Sequence, residues 1–252
     1  PKSDKFLDYI MSGWAEGDQT LPDAREVAAF AAERRAKLGA QFVGKRLVVA
    51  AGAMKQRSND TFYEYRAHSA FAHLTGWGSD SEPGAVLVMN PVSEGRGSAA
   101  THEATLYFRE RAGRDSEEFF ANPEIGEFWI GPRPSLAQVA ADLGISTAGL
   151  ETFVPDAADV TLADPELDRA TSELRLVKDA YELTEMQAAV DATARGFDDV
   201  LSGLDQAVKT ARGERVVEGV FNLRARLDGN TVGYETIAAA GPHACTLHWV
   251  DN

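Results

Sequence analysis

The chain has 252 residues, enough to bury one large core or two modest ones. Hydrophobic residues make up 44% and charged residues 25%, which excludes a disordered chain and places it among globular proteins. Lys and Arg total 25 against 39 Asp and Glu, a net charge of −14, and this argues against nucleic acid and anionic membrane surfaces as partners.

Pro1 to Trp14 mixes Lys, Asp and apolar residues and lacks the charged-then-apolar pattern of a signal peptide. Asp23 to Leu38 is the first helix expected. Pro22 stands at its start, Val27, Phe30, Ala31, Arg34 and Leu38 recur at helical spacing, and Gly39 is the stop. Arg46 to Ala50, Ala85 to Met89 and Ala104 to Phe108 read as strands, the last two joined through Asn90-Pro91 and a turn over Ser93 to Ala100. Ser135 is an N-cap, Leu136, Val139, Ala140 and Leu143 share one face, and Gly144 follows them. Strands and helices alternate, so this first part is α/β. After Leu150 the residues Pro155, Asp156, Asp159, Asp164, Pro165 and Asp168 mark a linker or boundary. Beyond it Leu183, Val190, Phe197 and Leu204 recur every seventh residue, with Met186 and Val200 between them, which predicts a long helix with one apolar face. A second helix is expected over Glu214 to Leu227, ending at Asp228-Gly229-Asn230. Two strands, Tyr234 to Ala240 and Ala244 to Val250, then form a hairpin through Gly241-Pro242-His243. Cys245, the sole cysteine, can make no disulfide within the chain, fits a reducing compartment and is expected to be buried in the last strand. No apolar run approaches the roughly 18 residues of a membrane span. The setting these features predict is the cytoplasm.

The common catalytic signatures are missing. His102-Glu103 opens like a zincin motif, but Leu106 stands where the second His is needed. No nucleophile elbow, P-loop or dinucleotide fingerprint occurs. Of the five histidines, His68 and His73 are five residues apart, as are His243 and His248, and that spacing does not place two ligands on one helical face.

Several segments carry a resemblance. Arg57-Ser58-Asn59-Asp60-Thr61, Tyr65-Arg66 and Phe71-Ala72-His73-Leu74-Thr75-Gly76-Trp77 resemble the N-terminal domain of bacterial aminopeptidase P. Glu127-Phe128-Trp129-Ile130-Gly131 is similar to that family's "W-x-G-R" segment, and Leu174-Arg175-Leu176-Val177-Lys178-Asp179 to the start of its catalytic domain. Gly233-Tyr234-Glu235-Thr236-Ile237 with Cys245-Thr246-Leu247-His248-Trp249 resembles "Y-x-T-I…C-x-L-H-Y". The segments occur in the family's order over nearly the whole chain. The stretch from Glu151 to Glu173 reads as shorter than the family's, which carries another strand and helix there.

The resemblance implies an α/β N-terminal domain of the creatinase and aminopeptidase P type over residues 1–172. The beginning of an α+β pita-bread catalytic domain would follow over 173–252. It implies a metal-dependent Xaa-Pro aminopeptidase that releases the residue preceding proline from peptides with proline at the second position, and a homo-dimer or homo-tetramer. The family holds two metal ions, usually Mn²⁺, on two Asp, one His and two Glu, beginning in a "D-A-G" strand. That strand does not occur in this sequence. No metal ligand and no cofactor are therefore expected on this chain, two Mn²⁺ are expected in the full-length enzyme, and the chain alone is expected to be inactive. By the same resemblance His248 is catalytic, donating a hydrogen bond to the substrate carbonyl or the developing oxyanion, and Trp129 and Tyr234 bind substrate. Two alternatives stand beside this reading: a prolidase-like dipeptidase or creatinase, and a metal-free pita-bread binding module. Downstream sequence with the ligand strand would separate the enzymes from the binding module.

Overall fold

A computed structural model describes residues 3–59, 61–92, 101–110, 112–114 and 116–252. Asp60 of the arginine motif and the Ser93 to Ala100 turn lie outside the described residues. The chain forms two compact units, Pro1–Val177 and Lys178–Asn252.

The first unit runs α1 (Asp4–Met11), α2 (Val27–Gly39), β1 (Leu47–Ala50), β2 (Gln56–Ser58), β3 (Thr61–Phe62), α3 (Ser69–Thr75), β4 (Val86–Pro91) and β5 (His102–Phe108). Next come the short α4 (Glu118–Ala121) and α5 (Glu127–Ile130), then α6 (Leu136–Leu143), β6 (Ser146–Gly149), β7 (Val160–Thr161) and α7 (Pro165–Leu174). Five strands form one sheet in the order β6-β5-β4-β1-β7. The central pairs β5–β4 and β4–β1 are antiparallel, and the two outer pairs are parallel. Leu47 pairs with Met89 and Val49 with Leu87. Side chains alternate across a strand, so these residues share one face with Leu106 and Phe108. That face carries the main core, where α2, α3, α6 and α7 contribute Leu38, Phe71, Leu74, Val139, Leu143 and Leu167. The opposite face holds a smaller cluster of Val48, Val86 and Val88 against Tyr107, Leu150 and Phe153.

Helix α2 begins at Val27, four residues later than the spacing predicts. The cause is a tertiary anchor: the Arg25 backbone N–H donates to Asp142 O at 2.9 Å, and its guanidinium bonds Asp142 and lies 3.0 Å from Asp80. Arg34 and Arg35, both buried, turn to the end of α3 and donate to His73 O at 3.0 Å and Leu74 O at 2.8 Å. The last carbonyls of a helix have no intrahelical donors and carry the negative end of its dipole, so cations there are favourable. Burial pulls the Arg35 guanidinium down to about 10, still charged at neutral pH. Gly76 ends α3 at φ 74, and a Cβ there would lie 2.7 Å from Val27 Cγ1, which explains the glycine.

The stretch read as a linker is structured. Asp164 caps α7 by accepting from Glu166 N at 2.8 Å, and Pro165 occupies its first turn. Leu167, Ala170 and Thr171 are buried. The Asp and Pro that signal a break here serve as a cap and a first helical residue.

The second unit is a helix pair, α8 (Ala180–Lys209) and α9 (Gly213–Asp228), followed by the segment 229–252. Asp179 and Glu182 form a capping box at the start of α8. Gly196 permits close approach of the two helices, since a Cβ there would lie 2.8 Å from the Phe221 ring. The heptad residues Leu183, Val190, Phe197 and Leu204 are 56%, 60%, 60% and 41% exposed. The hairpin expected over 234–250 is absent. Residues 234–240 are irregular, a 3₁₀ turn spans Gly241–Cys245 with proline in its first turn, and the rest is irregular. Among the described residues no third strand flanks this segment, and an isolated two-stranded hairpin is marginal in water. Cys245, expected to be buried, is exposed.

Candidate functional site

The side chains of the last segment gather on α9. Glu214 lies in the first turn of that helix, where a carboxylate complements the helix dipole. Its Oε1 accepts the backbone N–H of Ala240 at 2.6 Å. His243 Nδ1 lies 2.9 Å from Oε1 and 3.1 Å from Oε2, so this bond requires the proton on Nδ1. Trp249 Nε1 donates to Oε2 at 3.1 Å. The imidazole of His243 stacks on the indole of Trp249, with ring centroids 3.9 Å apart at 18°. The Ala240 N–H foremost, with His243 and Trp249, holds the Glu214 carboxyl below its usual range. Asn252 Nδ2 donates to Thr236 O at 3.2 Å and Thr236 Oγ1 to Asn222 Oδ1 at 3.3 Å, which ties the two ends of the segment together and to α9.

The three residues singled out in the sequence fare differently. His248 is exposed, between Leu247 at 89% exposure and the half-buried Trp249, and nothing among the described residues hydrogen-bonds to it. His248 lies in a turn and not in the strand expected over Ala244 to Val250. Tyr234 is 83% exposed and lines an open cleft of about 720 Å³ with Ala189, Phe197, Phe221, Arg224 and Ile237. Glu214 and His243 line a separate cleft of about 850 Å³ with Leu204, Val217 and Asn252. Trp129 belongs to the first unit, where it is 52% exposed, packs edge-on against Phe128 and donates Nε1–H to Phe120 O at 2.9 Å. Arg133, two residues past Gly131, is buried against Glu82, Nε to Oε1 2.8 Å. Spacing did not reveal Glu214, because its partners lie 26 to 35 residues further along the chain.

Among the described residues no group of three or more His, Cys, Asp or Glu converges as metal ligands. Two acidic side chains of the helix pair are engaged with arginines: Asp199 with Arg224 at 2.7 Å and Asp228 with Arg195 at 2.7 Å. The described residues therefore do not fit a pair of divalent ions. Hydrogen bonds from Arg224 and Arg195 hold Asp199 and Asp228 below the usual carboxylate range. A carboxyl depressed in the folded state adds stability above its unfolded pKa of about 3.9–4.3, and loses it as pH falls through the folded value. The helix pair is therefore expected to hold at neutral pH and weaken below about pH 4. Far-UV circular dichroism during urea unfolding at both pH values checks this, and an unchanged midpoint would contradict it.

A family profile described as "Aminopeptidase P, N-terminal domain" matches residues 31–160. The chain belongs to the aminopeptidase P N-terminal domain family. It is similar to "Xaa-Pro aminopeptidase 1" of Streptomyces coelicolor, 44% identical over 276 residues, covering 99% of this chain and 53% of that protein. It is 41% identical to "Xaa-Pro aminopeptidase 2" of the same organism over 265 residues, covering 96% of this chain and 54% of that protein. The chain thus spans about half the length of the curated relatives it matches. Among solved structures, aminopeptidase P from E. coli superposes with a TM-score of 0.67 at 20% identity, covering 90% of this chain and 56% of that one. That likeness shows the fold. The expected fold class, an α/β aminopeptidase P N-terminal domain followed by the beginning of the pita-bread catalytic domain, is borne out.

Proposed function

We propose that the whole protein is a metal-dependent Xaa-Pro aminopeptidase that hydrolyses the bond between an N-terminal residue and a following proline. The observation that carries this is the 44% identity, over 99% of the chain, to a Streptomyces coelicolor protein named for that activity. The chemistry accounts for a dedicated enzyme: an Xaa-Pro bond has no N–H and a ring-fixed φ, which ordinary peptide-binding sites do not accommodate.

In this reading His248 is the catalytic residue of the chain, donating an N–H to the oxyanion that forms when water adds to the scissile carbonyl. Its exposure, and the lack of a hydrogen-bond partner among the described residues, leave the imidazole free for a substrate. Tyr234 and Trp129 serve as substrate-binding groups, in keeping with their exposed rings. The two Mn²⁺ ions implied by the family find no site among the described residues, and only the part played by this chain's own side chains is assigned. The 252 residues by themselves are expected to be inactive. The unpaired Cys245 fits a cytoplasmic setting.

Stripping the whole protein with a chelator should abolish peptide hydrolysis, and Mn²⁺ should restore it. Hydrolysis that survives complete metal removal would sink the metal-dependent reading. Cleavage of Xaa-Pro dipeptides alone would favour a prolidase. The whole protein is also proposed to be a homo-dimer or homo-tetramer, supported by the half-exposed Trp129 and Ile130 side by side on α5. Sedimentation equilibrium giving a monomer mass at micromolar protein would contradict this.

A further inference from the structure

We propose that Glu214 is a positioning residue for His248, clamping the segment 240–249 onto the start of α9 so that the His248 imidazole is held in one place. This rests on the catalytic role given to His248 above.

Three donors converge on the one carboxylate: Ala240 N, His243 Nδ1 and Trp249 Nε1, at 2.6 to 3.1 Å. The first precedes His248 by eight residues and the last is its immediate neighbour, so the clamp grips the segment on both sides of the imidazole. Beyond the clamp, the segment is anchored at Asn252, whose Nδ2 donates to Thr236 O at 3.2 Å and Glu218 Oε2 at 3.5 Å. Beside the bonds inside the 3₁₀ turn Gly241–Cys245, its backbone is closed by His243 N to Ala240 O at 3.2 Å and Thr246 N to His243 O at 2.8 Å. Past Thr246, Leu247 and Val250 are 89% and 68% exposed and supply little packing. The anchor nearest to His248 is Trp249, through its indole N–H on Glu214 and its stack on His243, itself bonded to Glu214. A carboxylate suits the task because it only accepts, offering both oxygens to donors. An amide of the same shape cannot, since its NH₂ would face either the Ala240 and His243 donors or the Trp249 indole.

The test is Glu214→Gln in the whole protein, read in two ways. Misplacing a catalytic group by about 1 Å costs about 10²-fold in rate, so kcat on an Xaa-Pro peptide should fall by up to that factor with KM little changed. Deuterium uptake should quicken in the peptide covering 240–249, which contains the bonded amides of Ala240 and Thr246, and stay unchanged in α8. Trp249→Phe keeps a stacking ring and loses one donor, so it should shift both readouts the same way by less, which covers the case in which the glutamine variant fails to fold. Faster uptake with unchanged kcat would overturn the proposal, as would unchanged uptake with or without a fall in kcat. If the wild-type protein cleaves no Xaa-Pro bond, the functional reading falls and takes the service to His248 with it. The uptake comparison would then report on the clamp alone.

Discussion

His248→Ala in the whole protein should lower kcat on an Xaa-Pro peptide by about 10²–10³, the cost of one preorganised oxyanion donor. KM and stability should hardly move, because the side chain is exposed and none of the described residues hydrogen-bonds to it. Interactions made only as charge develops on the carbonyl oxygen lower kcat and kcat/KM together when removed. The second readout is metal content. Elemental analysis should find it equal in variant and wild type, because His248 is assigned as a donor to substrate. Full activity in the variant would make His248 a bystander, and loss of one ion together with activity would make it a ligand.

Trp77→Ala should destabilise the first unit by about 3–5 kcal/mol, the range for truncating a large aromatic in a packed core. Trp77 is 2% exposed, and its ring meets Phe108 edge-on with centroids 5.1 Å apart. It follows the left-handed Gly76, and its own N–H donates to Thr75 Oγ1 at 3.0 Å, so the backbone is fixed and cannot follow a shrinking side chain. Domains are stable by roughly 5–15 kcal/mol in all, so the variant is expected at the edge of folding. The fall should appear as a lower urea midpoint at an unchanged slope. A loss below about 1 kcal/mol would show that the site collapses around the gap, contrary to the packing described.

The parts of the fold read correctly from sequence are those whose signals are local. Ser135 caps α6 with the full capping box and Gly144 ends it in a left-handed turn, as their types predict. The seven-residue repeat from Leu183 gave α8, and apolar runs gave β1, β4 and β5 within a few residues. What was misread depends on distant partners. β6, Ser-Thr-Ala-Gly, and the two-residue β7 have little strand character of their own and exist because β5 and β1 pair with them. Asp164-Pro165 looks like a break until a helix is seen to start there. Tyr234 to Ala240 and Ala244 to Val250 read as strands, yet the segment folds onto Glu214. Of the candidate site, the resemblance singled out His248. The carboxylate that organises its surroundings was invisible, because no spacing rule links Glu214 to His243 and Trp249.

The central claim is tested most directly by one comparison: the whole protein, metal-loaded, incubated with an Xaa-Pro-Xaa tripeptide and with its alanine counterpart, the products identified by mass spectrometry. The account predicts release of the single N-terminal residue from the proline peptide and little or none from the alanine peptide. Equal cleavage of both, or an intact proline peptide, would contradict it.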